Sequence, residues 1–251
     1  MTPTPDATSD PTSDPTTGPV AAGAVPATPA SRAGSPLVGA KLPRDDSDPW
    51  RWGVYLRPDP RTCRAVTVVT DQLRAQFGLL SAGAFPPHAT LVGSQPFGSS
   101  EAAVVEALDD LLEGRSAFDV HNAGVRGQGI GFVYDVHERA DGTVNDDLVA
   151  LAADVERVVA PFRRPMGVPL PNDYEPDLFH AHLSLASHDL YGRPDLHDEV
   201  GEFVHELGVD VPAGFVGDTV VMYRTASPDW SGRWWRTMTW EHVRTWKLAR
   251  A

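Results

Sequence analysis

The sequence predicts an α+β fold made of two similar lobes related by a pseudo-twofold axis. Two observations carry that expectation. A His-x-hydroxyl-apolar stretch, His88-Ala89-Thr90-Leu91, returns 94 residues later as His182-Leu183-Ser184-Leu185. The expected elements around the first copy run strand, helix, motif strand, helix, strand, strand, and those around the second run helix, motif strand, helix, strand, strand. A spacing of 94 residues is too long for one supersecondary unit and fits two lobes. Lobes of that kind face each other across a groove, a common place for a ligand.

Taken in order, residues 1–47 are rich in Pro, Thr, Ala, Ser and Asp and lack apolar periodicity. Such a segment cannot bury enough surface to offset its ordering entropy, so a disordered tail is expected there and one bilobal domain over 48–251. Trp50 to Leu56, β-prone between two prolines, reads as the first strand. Apolar residues at helical spacing (Val66, Val69, Leu73, Phe77) predict a helix over 61–77, capped by Gly78. Cys63, in its first turn, has no second thiol or motif beside it and is read as structural.

The strand holding His88 follows, then a helix opening at 99–101 and running to 112. Residues 118–125 read as a strand. The glycines of 127–131 lead into another strand, 132–136, rather than a helix, and lack a Lys-Ser/Thr ending; they predict a hairpin turn and not a phosphate loop. The clearest amphipathic helix is 145–162, with Leu148, Leu151, Ala152, Val155, Val158 and Val159 on one stripe. A Pro-rich connection, 163–177, leads to the second motif strand. A helix over 194–207 and strands over 215–225 and 237–248, around a Trp-rich loop, complete the chain.

Side chains alternate along a strand, so His88 and Thr90 share one face, and His182 and Ser184 share another with His180 beside them. Ala89, Leu91, Ala181, Leu183 and Leu185 go to the core. Two imidazoles and two hydroxyls thereby meet across the groove.

Composition narrows the function. The net charge is −13, of which −3 falls in residues 1–49 and −10 in the rest. So acidic a body lacks the clustered Lys and Arg that bind long polyanions; a long duplex footprint is disfavoured, while the end of a nucleic acid or a small anion remains accessible to a local site. No apolar run reaches membrane length, no secretory signal is read at the N-terminus, and a single Cys suits a reducing compartment. A cytoplasmic monomer without membrane contact is expected.

The stretch Pro87-His88-Ala89-Thr90-Leu91-Val92, paired with His182-Leu183-Ser184-Leu185, resembles the two signature motifs of the 2H phosphoesterase superfamily. The opening strand Trp52-Gly53-Val54-Tyr55-Leu56 and the order of elements are similar too, so the resemblance covers about residues 50 to 249. It implies two α+β lobes whose antiparallel sheets line a central groove with helices outside. It implies action on 2′,3′-cyclic phosphates or 2′-5′ phosphodiester bonds of RNA ends or nucleotides, in the manner of the bacterial 2′-5′ RNA ligase and RNA cyclic phosphodiesterase branch. The family's catalytic histidines fall on His88 and His182, and its phosphate-binding hydroxyls on Thr90 and Ser184. Ala181 stands where many members have Pro, and Ser184 where many have Thr.

Histidine titrates near neutrality, so one of the pair can accept a proton while the other gives one. The expected assignment is His182 as base on water and His88 as acid toward the leaving ribose oxygen, with the reverse also compatible with the sequence. Thr90 and Ser184 would stabilise charge on the non-bridging oxygens. No metal or other cofactor is required. His180, Tyr223, Trp230 and Trp234 are candidate substrate contacts, the tryptophans by stacking on a base near Arg233 and Arg236. His121, His137, His188, His197, His205 and His242 are read as surface residues. Two alternatives stand beside this reading: a nucleotide-binding module of the same fold without catalysis, and a metal-dependent hydrolase using the His180-x-His182 pair.

Overall fold

A computed structural model describes residues 48–164, 175–230 and 233–250. The expected tail and most of the Pro-rich connection lie outside them. β1 (Trp50–Leu56) stops two residues before Pro58, and Asp59 starts α1 (Pro60–Phe77) by accepting the Thr62 N–H at 2.7 Å. Pro60 sits where no donor is needed, and Gly78 closes the helix at φ 70°, a conformation costly for other residues. β2 (Ala89–Gln95) begins one residue after His88, so the first motif histidine stands at the mouth of the strand rather than within it. α2 (Glu101–Leu112) is capped by Ser100, whose Oγ accepts the Ala103 N–H.

The expected strand over 118–125 is two strands. β3 (Phe118–His121) leaves the main sheet, the chain turns at Gly124 (φ 95°), and β4 (Val125–Gln128) returns to it. β4 forms the expected hairpin with β5 (Gly131–Asp135). α3 (Asp146–Val159) passes into a short 3-10 turn (Ala160–Phe162), and β6 (His182–Ala186) follows the connection. α4 (His197–Glu206) is preceded by a further 3-10 turn, Pro194–Leu196. The expected strand over 215–225 breaks at Asp218 into β7 (Gly214–Gly217) and β8 (Thr219–Ala226); β9 (Thr239–Lys247) is last.

The architecture is mixed α+β with every named strand pair antiparallel. Seven strands form one sheet in the order β4-β5-β6-β2-β1-β8-β9, while β3 and β7 pair apart. The two halves meet at β2 and β6, joined in register by the pair Ala89↔Leu183. Strand, helix, motif strand and helix recur on either side of that seam, as β1-α1-β2-α2 and β5-α3-β6-α4. The halves do not lie in tandem, because β8 and β9 return from the end of the chain to flank β1. The helices also cross: α1 packs against β6 and α3 against β2.

This crossing builds one core from both halves. Val66, Val69 and Leu73 of α1 and Leu148, Leu151 and Val155 of α3 are buried with Ala89, Leu91, Leu183 and Leu185 of the motif strands. Each fully buried Leu or Val stabilises the fold by about 1.5–3 kcal/mol, enough to fix which face of each motif strand points inward. A smaller cluster of Tyr55, Val221 and Tyr223, with Phe85 against it, lies apart from this core. Among the described residues no helix is long and apolar enough to cross a membrane.

Candidate active site

Backbone pairing turns the two motifs into a single surface. With Ala89 opposite Leu183 and both side chains in the core, the adjacent positions turn to the other face. Continuing that register by one residue sets Thr90 against His182, and His88 against Ser184. β5 places Asp135 on the far side of His182, and β1 places Tyr55 on the far side of Thr90. One row across the sheet therefore reads Asp135, His182, Thr90, Tyr55. The neighbouring row reads Val133, Ser184, His88 and, one residue beyond the Leu56↔Ala89 pair, Arg57. Directly opposite positions hold their Cβ atoms about 4.5–5.5 Å apart, so the four motif side chains share one patch.

The two imidazoles are held alike. His88 Nδ1 lies 2.6 Å from the Pro86 carbonyl oxygen, and His182 Nδ1 lies 2.7 Å from that of His180. A carbonyl only accepts, so each ring carries its proton on Nδ1 and leaves Nε2 for other chemistry. Burial pushes His88 down to about 4, against the pull of the Pro86 carbonyl and with added repulsion from His182. Burial also lowers His182; the His180 carbonyl opposes this, the His180 ring adds to it, and Asp135 opposes it. Both rings are therefore neutral near pH 7 in the unliganded protein.

The surroundings of the two rings differ. His88 is packed edge-on by Tyr55 and Phe85, with ring centres 4.6 and 4.9 Å away. The Tyr55 hydroxyl meets Ser94 Oγ at 2.9 Å, and its phenol is pushed up to about 12 by burial. Tyr223 lies against Phe85 and Trp240 in the same aromatic group. His182 instead borders a polar network. Asp135, fully buried, accepts the His137 and Glu138 N–H groups through Oδ1 at 2.9 and 3.2 Å. Its Oδ2 faces His180 Nε2 at 3.3 Å and Arg126 Nε at 3.2 Å. Burial alone would raise this carboxyl; the His180 contact and the two backbone donors outweigh burial and hold it at about 2. His180 also stacks on His137 with centres 4.5 Å apart.

The expected contacts fall in different places. His180 supports His182 from behind, and Tyr223 belongs to the aromatic group near His88. Trp230 donates its indole N–H to the Pro49 carbonyl and lies under Arg51; Trp234 meets the ring of His188. Among the described residues neither tryptophan ring packs against His88 or His182. His137, expected at the surface, is half-buried against His180, because the turn after β5 folds back under the second motif. Asp135, Arg57 and Arg126 were not singled out by sequence. Asp135 reads as the polar end of an apolar strand, and only the β5–β6 register reveals its neighbour.

His180 Nε2 faces Asp135 and His182 Nδ1 faces a carbonyl, and among the described residues no group of three or more His, Cys, Asp or Glu is arranged to hold an ion. A pocket of about 230 Å³ opens beside Phe85, Pro86 and Pro87, but α1 and Trp240 complete its lining, not the histidine pair.

No protein-family model and no curated protein matches the chain. Solved structures do. The chain is similar to Escherichia coli LigT, crystallised with NADP+, at 16% identity and a TM-score of 0.42, over 81% of this chain and 99% of that one. It is similar to the Thermus thermophilus protein TT0787 at 12% identity and a TM-score of 0.49, over 79% and 97% of the two chains. A third is Usb1 of Kluyveromyces marxianus, at 12% identity and a TM-score of 0.37, over 77% and 97%. These likenesses concern the general arrangement of elements. The chemistry of this chain has to be read from its own residues.

Proposed function

We propose that this protein is a metal-independent phosphodiesterase of the 2H type, formed by residues 48–251 and acting on 2′,3′-cyclic phosphates, or on 2′-5′ phosphodiester bonds, of RNA ends or nucleotides. The observation that carries the reading is the shared patch of two imidazoles and two hydroxyls, with both rings tied through Nδ1 to a carbonyl two residues back. Such a pair offers two Nε2 atoms for a proton-in, proton-out reaction at phosphorus. Water attacks phosphorus and loses its proton to one Nε2. The bond from phosphorus to one ribose oxygen breaks, and that oxygen takes a proton from the other. A 2′- or 3′-monoester results.

Thr90 and Ser184 would donate to the non-bridging oxygens, and Arg57, in the row with His88, would add a cation. Because both rings are neutral when empty, the acid takes up its proton as the anionic phosphate arrives. The same steps run backwards would join RNA ends, as a 2′-5′ ligase does. Phe85 and Trp240, which meet edge-on at the outer side of the aromatic group, would supply a surface for a base.

Hydrolysis of 2′,3′-cyclic nucleotides in EDTA, by the wild type and by His88→Ala and His182→Ala, tests the reading. Turnover that survives the chelator and falls at least about 100-fold in each variant is expected. Turnover restored only by added metal would overturn the mechanism. Tight nucleotide binding without any turnover would favour the binding module.

A further inference from the structure

We infer that Asp135, with His180, is a positioning residue that makes His182 the proton donor of the pair and leaves His88 as the base on water. The inference rests on the phosphodiesterase reading and reverses the direction expected from sequence. The two halves hold equivalent imidazoles in equivalent ways, so nothing in the motifs themselves tells one ring from the other. The asymmetry lies one strand further out. Opposite His182 on β5 stands Asp135; at the corresponding place beside His88, where β1 ends, stands Arg57.

The groups around His182 can be named from every side. From β5 and the turn after it come Asp135, His137 and Glu138, and from β4 comes Arg126. His180 lies on its own segment, and Thr90 and His88 stand across the seam. Arg126 faces Asp135 at 3.2 Å and Glu138 at 3.7 Å, so this trio of side chains carries a formal charge of −1. Asp135 cannot turn away: Oδ1 holds two backbone donors while Oδ2 faces His180 Nε2. His180 in turn presents the carbonyl that receives the His182 Nδ1 proton. A fixed carboxylate thus steadies the segment that orients His182 and favours a positive charge on that ring. His88 has an aromatic wall instead, with Arg57 leaning to the Tyr223 hydroxyl.

In this direction the attacking water passes its proton to His88 Nε2 as the new P–O bond forms. The ribose oxygen leaves with its bonding electrons and takes the His182 Nε2 proton. His182 ends neutral and His88 protonated, and solvent resets both.

The test is the pH profile of kcat/KM for 2′,3′-cyclic nucleotide hydrolysis in wild type, Asp135→Asn and Asp135→Glu, with NMR titration of the two rings alongside. Asn keeps an oxygen for the His137 and Glu138 N–H groups. With His182 as acid, Asp135→Asn moves the basic limb about one pH unit or more downward and leaves the acid limb in place. The His182 titration falls with it, and Asp135→Glu restores both toward wild type. Movement of the acid limb instead would make His182 the base and overturn the inference. So would a loss of kcat with neither limb displaced, the mark of a merely structural carboxylate. Should Asp135→Asn fail to fold, the NMR titration of the wild type decides: His182 titrating above His88 upholds the inference, and the reverse order overturns it. A wild type without turnover is the distinct failure of the phosphodiesterase reading itself, and takes this inference with it.

Discussion

At His88 a neutral ring is enforced by its packing, and stability has to register that. A histidine lowered to about 4 in the native state binds fewer protons than its unfolded counterpart between about pH 4 and about pH 6.5. Its contribution is complete above that window and is lost as pH falls through it; His137, His182 and His188 are lowered as well and act in the same sense. Urea unfolding at pH 5 and pH 7 should therefore show a smaller difference for His88→Gln than for wild type. Gly53 governs the same ring indirectly. A Cβ there would sit 2.1 Å from the Tyr55 hydroxyl and 2.4 Å from its ring, so Gly53→Ala must push Tyr55 off Ser94 and away from His88. Activity should fall about tenfold, equivalent to about 1.4 kcal/mol, while the fold survives, as kinetics and circular dichroism would show.

Between elements, the seam and its flanks set the site. Gly131 lets β5 close on β6: an added Cβ would meet the Ala186 carbonyl oxygen at 2.4 Å, a backbone contact with no side chain to give way. Gly131→Ala should cost about 1–3 kcal/mol in urea denaturation and loosen Asp135 from His182. The main strands and helices were legible because their signals are local: helical stripes in α1 and α3, caps at Ser100 and Gly78, alternation in both motifs. The divisions of 118–125 and 215–225 were not. Polar and glycine residues interrupt the pattern at Asn122-Ala123-Gly124 and at Gly217-Asp218, but short interruptions of that kind also occur within strands, and nothing local says that β3 and β7 leave to pair with each other. Asp218 is held there by Thr219, Lys247 and Arg250, partners supplied largely by the far end of the chain. The surroundings of His182 were hidden for the same reason, since Asp135 and His137 become neighbours only through β-pairing.

For the whole molecule, a charge of −13 opposes the approach of an anionic substrate. Raising salt from about 10 mM to about 100 mM shortens the screening length from about 30 to about 10 Å. kcat/KM for a cyclic nucleotide should rise over that range, whereas a protein that tracks a polyanion would lose affinity. The order of strands has a further consequence, for the growing polypeptide. β1 has β2 on one edge and β8 on the other, with Tyr55 opposite Val221. A nascent chain leaving the ribosome exposes that second edge until β8 has been made, and α1 lacks β6, the strand it covers, until that strand has followed. Contacts so distant in sequence form late and slowly, and an open strand edge invites pairing with other chains. Chaperone demand during synthesis is thus written into the interleaving of the two halves.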